Sequence, residues 1–150
     1  MAYTASKLDR VAAVIMAVRG SYGLFWVTLV LLALAGVLDM HRLPPELARF
    51  FLEQPPVLAA AWLSYIIGYI GSAIFLWTGR PSRALILYVL SFAADIILWT
   101  FVITLGVNSA SMPLWASILD GLVTLTDLIA ICYMAFIVIA LRKTDAFRWT

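Results

Sequence analysis

Four stretches of this chain are apolar for long enough to cross a hydrocarbon layer as helices, and nothing else in the sequence restricts the fold as strongly. A helix needs about 20 predominantly apolar residues to span a bilayer core, where every backbone polar group must be satisfied within the protein. The stretches cover residues 22–38, 57–77, 84–105 and 115–141. Polar and helix-breaking residues separate them. Asp39, His41, Arg42, Pro44 and Pro45 follow the first, and Gly79, Arg80, Pro81 and Arg83 follow the second. Residues 106–113 follow the third, and Pro113 suits the first turn of a new helix. With 65% hydrophobic and 12% charged residues and a mean hydropathy of +1.04, little of the chain remains for a soluble part. The expected fold is an all-α integral membrane protein, one domain built as a four-transmembrane-helix bundle.

Two flanking segments read as interfacial. Residues 5–20 begin with Ser6 and Asp9 in a capping arrangement and then place Leu8, Val11, Ala12, Ile15 and Val18 near one helical face. That describes a helix lying on the membrane surface or an extension of the first span. Residues 45–53, opening at Pro44-Pro45 and running through Glu46 to Glu53, read as a short amphipathic helix with an apolar side. Ala33-Leu34-Ala35-Gly36 resembles a signal-peptidase site, but the segment is read as a retained span.

Basic residues set the expected orientation. Eight of the ten gather on one side: Lys7, Arg10 and Arg19 before the first span, Arg80 and Arg83 in the middle hairpin, and Arg142, Lys143 and Arg148 after the last. Only Arg42 and Arg49 fall on the other, so both termini are expected in the cytoplasm, in a bacterial inner membrane or its equivalent. Trp62 and Trp115 at one interface and Tyr22 and Trp77 at the other fit the aromatic belts.

Chemistry enters through three aspartates, Asp95, Asp120 and Asp127, which lie inside these stretches as drawn with no Lys, Arg or His beside them. Acids at such depth are costly and normally pair, line a wet cavity or take up a proton. Asp120, Thr124 and Asp127 recur at helical spacing on one face, with Ser117 at its edge. In the preceding span Tyr88, Ser91 and Asp95 share a face that Trp99 extends. Antiparallel packing puts Asp95 and Asp127 at similar depth. A polar path is expected past Asp120 and Thr124 to that acid pair and out by Ser91 and Tyr88, and these six residues form the candidate proton- or cation-binding site.

Ala60, Ser64, Gly68 and Ser72 form a small-residue ridge suited to close helix packing. Tyr65 and Tyr69 on the same helix could donate to an acid, though aromatic packing is their simpler role. His41 with Asp39, Glu46 and Glu53 shows no metal-ligand spacing, so no metal is expected. Cys132 stands alone, which excludes an intrachain disulfide and a multi-cysteine metal site. The drawn spans contain no Lys for a retinal Schiff base and no His for haem, and no cofactor is expected.

Three functions fit this pattern. One is a small proton- or cation-linked transporter or channel that uses the aspartates. Another is a non-catalytic accessory subunit of a larger membrane complex, whose aspartates meet a base on a partner helix. The third is an intramembrane aspartyl enzyme, which fits least well because Asp95 lies too deep and the usual neighbouring Asn-containing motifs are absent. The expected partners are the lipid bilayer and either further copies of the chain or a larger membrane complex; no nucleic acid is expected. The direction in which the aspartate face points separates these readings.

Overall fold

The computed structural model describes residues 3–52, 56–104 and 114–143. These residues form α1 (Lys7–Leu34), a 3-10 turn (Met40–Arg42), α2 (Pro45–Leu52), α3 (Pro56–Trp77), α4 (Pro81–Thr104) and α5 (Leu114–Lys143). All but the turn and α2 are long and apolar enough to cross a membrane. Pro45, Pro56 and Pro81 each open a helix, where the missing N–H costs nothing and the fixed φ is already helical. The second, third and fourth expected spans therefore appear with ends shifted by a few residues. Pro113 lies outside the described residues, as does Glu53 at the end of the short helix.

Of the two arrangements expected for the amino-terminal region, a surface helix over residues 5–20 or an extension of the first span, the structure has the extension: one continuous helix, α1, of 28 residues, which ends at Leu34, short of the expected residue 38. Ser6 caps it through the anticipated box, with the Ser6 hydroxyl accepting from the Asp9 N–H and the Asp9 carboxylate accepting from the Ser6 N–H. Gly20 and Gly23 do not break it, because both are packing sites. A Cβ at Gly20 would stand 2.7 Å from Cγ1 of Ile70, and one at Gly23 would stand 2.9 Å from Cγ1 of Ile66. Each glycine costs about 1 kcal/mol of helix propensity relative to alanine, and the close approach of α3 offsets that cost.

The segment resembling a cleavage site is the helix terminus. Gly36 adopts φ +69°, its N–H reaches the Ala33 carbonyl, and the Val37 N–H reaches that of Leu32, which is a Schellman ending. Gly79 ends α3 in the same way at φ +75°, with the Arg80 N–H bonded to the Phe75 carbonyl.

In space α3 packs along both α1 and α4, while α5 leans on α4 and touches α1 more lightly. Of the small-residue ridge, Gly68 and Ser72 are buried where α3 meets α4, and Ala60 and Ser64 are exposed. A Cβ at Gly68 would collide with the Ser91 hydroxyl, and the Ser72 hydroxyl donates to the Ala84 carbonyl at 2.6 Å. Two apolar clusters result. Met16, Tyr69, Leu76, Tyr88 and Met134 occupy the end near the amino terminus, and Val27, Val30, Phe51, Trp62 and Ile66 occupy the α2 end. Arg19 falls between them along α1.

Among the residues placed in aromatic belts, only Trp77 sits exposed at a helix end, with the Arg10 guanidinium 5.6 Å from its ring centre. Trp62 is buried, and Tyr22 lies in the middle of α1. The Trp115 side chain lies outside the described residues.

Candidate functional site

The acids have a base, and it comes from the first helix. Arg19 lies about 18 Å along the axis from the start of α1 at ~1.5 Å per residue, well inside the bundle. Its Nε donates to Asp127 Oδ2 at 3.0 Å and its Nη2 to Asp95 Oδ2 at 2.6 Å. The guanidinium thus bridges α4 and α5. Two charge-assisted bonds from one planar fork are the geometry that arginine offers and lysine does not. This overturns the assignment of Arg19 to the basic flank and the description of Asp95 and Asp127 as acids without a local base.

The two carboxylates differ in surroundings. The Asp127 side chain is 1% exposed, and its other oxygen accepts from the Tyr88 hydroxyl at 2.7 Å. That of Asp95 is 22% exposed, and the oxygen that meets Arg19 also lies 3.4 Å from the Tyr69 hydroxyl. The Tyr69 ring supports the guanidinium, with Cζ 4.7 Å from the ring centre, and stacks edge-on against Tyr88. Asp120 is half-buried farther along α5 and accepts from the Tyr22 hydroxyl at 3.3 Å.

The remaining sequence candidates stand differently. The Thr124 hydroxyl bonds back to the Asp120 carbonyl at 2.9 Å, so its donor is used within the helix, while the residue itself borders the cavity described below. Ser91 is buried, donates to the Leu87 carbonyl at 2.8 Å and faces Gly68, away from the acids. The Ser117 side chain lies outside the described residues. Asp95, Asp127 and Tyr88 are therefore brought together around Arg19, Asp120 and Thr124 flank a cavity, and Ser91 belongs to a helix contact.

That cavity, about 360 Å³, lies on the α2 side of the charge centre. Arg19, Asp95 and Asp120 supply its charged wall, and Tyr22, Trp26, Trp62, Tyr65 and Trp99 supply its aromatic walls. Ile96, Gly121 and Thr124 also border it and are exposed, so it reaches the outside of the bundle at α4 and α5.

A second buried acid escaped the sequence reading. Asp9 is fully buried and accepts from the Tyr3 hydroxyl at 2.6 Å, the Ser6 N–H at 2.6 Å and the Tyr133 hydroxyl at 2.9 Å. Outside the helices, burial pushes the Tyr3 phenol above its ordinary range, and the neighbouring Asp9 carboxylate reinforces the shift. The three polar bonds Asp9–Tyr133, Arg19–Asp127 and Tyr22–Asp120 all join α1 to α5. Around His41, Asp39 instead accepts from the His41 N–H and pairs with Arg42. Among the described residues no group of three His, Cys, Asp or Glu side chains is arranged to hold a metal ion.

One signal could have placed Arg19. The residues before it, Val11 to Val18, are as apolar as those after it, so Arg19 interrupts a single run and does not mark its border. The fold and site define a four-helix protein with an arginine-centred acid pair beneath an aromatic cavity. Comparison with protein-family models, curated proteins and solved structures found no match.

Proposed function

We propose that this chain is an integral membrane protein that moves protons, or a cation in exchange for them, across the bilayer. The cavity that brings Arg19, Asp95 and Asp120 to one polar wall, continuous with the buried Asp127, carries the reading. Apolar side chains exposed on each of the four long helices, among them Val18, Ile67, Ile97 and Phe136, suit a lipid surround. Asp95 and Asp127 turn inward and meet a base of their own chain. Their presence is thereby explained without a partner helix, which removes the main support for an accessory subunit. A guanidinium between Asp95 and Asp127 also occupies the place where an aspartyl enzyme would share a proton.

The geometry gives the residues separate roles. Arg19 stays protonated, so the centre contains one fixed positive charge against two carboxylates. Asp127, enclosed by Arg19 and Tyr88, anchors the guanidinium. Asp95, open to the cavity, is the exchanging acid: when it takes up a proton its bond to Arg19 weakens, and Asp127 retains the cation. Asp120 faces the same cavity and serves as the entry relay.

The test is proton flux in proteoliposomes under an imposed potential, followed by an entrapped pH dye. D95N is expected to lower flux about a hundredfold or more, the lower end of the range attributed to a positioned acid or base, while helical content stays unchanged. Wild-type flux in both D95N and D127N would end the proposal.

A further inference from the structure

We propose that the aromatic cavity at the α2 end binds an organic ammonium ion, an inference that rests on the carrier reading and names its cargo. Its volume of about 360 Å³ lies toward the lower end of small-molecule sites, roughly 300–1,000 Å³. Three indoles and two phenols line it. Indole and phenol faces attract cations, and aromatic walls around a carboxylate are a recurrent way to hold a quaternary ammonium group. The Tyr22 and Trp26 rings stand 6.3 Å apart at 82°, which makes an aromatic corner next to the carboxylate that Tyr22 contacts.

Charge selects the sign of the occupant. Among the described residues Arg19 is the one basic side chain on the wall, and two carboxylates already occupy it. The Asp120 carboxylate accepts from the Tyr22 phenol and from no cation among the described residues, and a phenol brings no positive charge to balance it. An anion would meet this carboxylate and find no uncommitted donor of opposite sign. A hard metal ion would require six or more oxygen ligands, and the carboxylates that the described residues bring to this wall are those of Asp95 and Asp120, the first already bonded to Arg19. An alkylammonium ion needs a carboxylate, π faces and room, and the cavity has all three. Access lies at Gly121, where a Cβ would meet nothing within 4 Å.

The probe is benzyltrimethylammonium, titrated against the purified full chain in nanodiscs and read by tryptophan emission. Neopentylbenzene, its neutral isostere, is the control. The expected result is saturable binding of the cation, about tenfold weaker in D120N, the loss of roughly one good ionic contact, with no comparable response to the neutral compound. G121L, which adds a bulky side chain at a residue of the cavity wall, should abolish the response even if D120N proves poorly folded. Equal binding of the neutral isostere would reduce the cavity to a greasy slot for lipid or detergent tails and overturn the proposal. Unchanged affinity in a folded D120N or in G121L would also overturn it. Proton flux that depends on Asp95 without cation binding removes the ligand assignment alone. Cation binding that depends on Asp120 without any flux removes the carrier reading and leaves the binding site standing.

Discussion

Arg19 and Asp127, far apart in sequence, meet inside the bundle with Nε 3.0 Å from Oδ2, and the same guanidinium reaches Asp95. Removing one partner from a buried ionic group typically costs about 3–5 kcal/mol, because the remaining charge stays desolvated. R19Q is therefore expected to lower stability by about that amount in detergent unfolding experiments. Adding D127N should recover part of the loss. An R19Q protein as stable as wild type would show that the bridge is not formed.

The two acids should respond unequally. Asp127 is 1% exposed and also serves Tyr88, whereas Asp95 is 22% exposed on the cavity wall. D127N should cost more stability than D95N, and D95N should cost flux with little loss of melting temperature. Parallel thermal melts and flux assays check the ordering, and a reversed order would reject the division into anchor and exchanger.

Gly68 lies at a close approach of α3 and α4, since any Cβ there meets the Ser91 hydroxyl. G68A should destabilise by about 1–3 kcal/mol, the usual cost of overpacking. The double variant G68A/S91G should regain much of it. S64A, at the outer end of the ridge, should be nearly neutral because that residue is exposed and its hydroxyl bonds the nearby Ala61 carbonyl.

Gly121 offers the opposite case. With open space at its Cβ position, G121A should raise stability by up to about 1 kcal/mol from helix propensity. Equilibrium unfolding measures the gain, and a loss would place an unseen neighbour at this face.

The amino-terminal tether should survive neutral pH and fail in alkali. The Tyr3 phenol is pushed above its ordinary pKa by burial and by Asp9, so its neutral form is the one the folded state favours. That contribution is complete below about pH 10, the ordinary tyrosine value, and is lost as pH rises through the elevated folded value. Hydrogen exchange at the start of α1 should be protected at pH 7, weakened in strong base and raised at all pH values in Y3F.

The long helices were legible because length and apolar content are local properties that any bilayer-spanning helix must satisfy, and prolines mark the start of α3 and α4. The capping box at Ser6 and Asp9 was legible for the same reason. Arg19 was misassigned because charge counted along the chain cannot distinguish an interfacial arginine from one inside a helix that continues. Only the path of α1 through Gly20 and Gly23, pressed against Ile70 and Ile66, decides that. Tyr22 and Trp62, read as interface anchors, became cavity walls because neighbouring helices cover them.

Sequence alone determined that this chain forms long apolar helices and that three acids within them require compensation, since desolvation acts on each residue wherever its neighbours stand. Tertiary structure alone decided what compensates them. The bridge from Arg19 to Asp95 and Asp127 depends on three helices meeting at one depth, and the cavity beside it on side chains drawn from four. Such coincidences are set by packing across the bundle, which the order of residues along each helix does not specify.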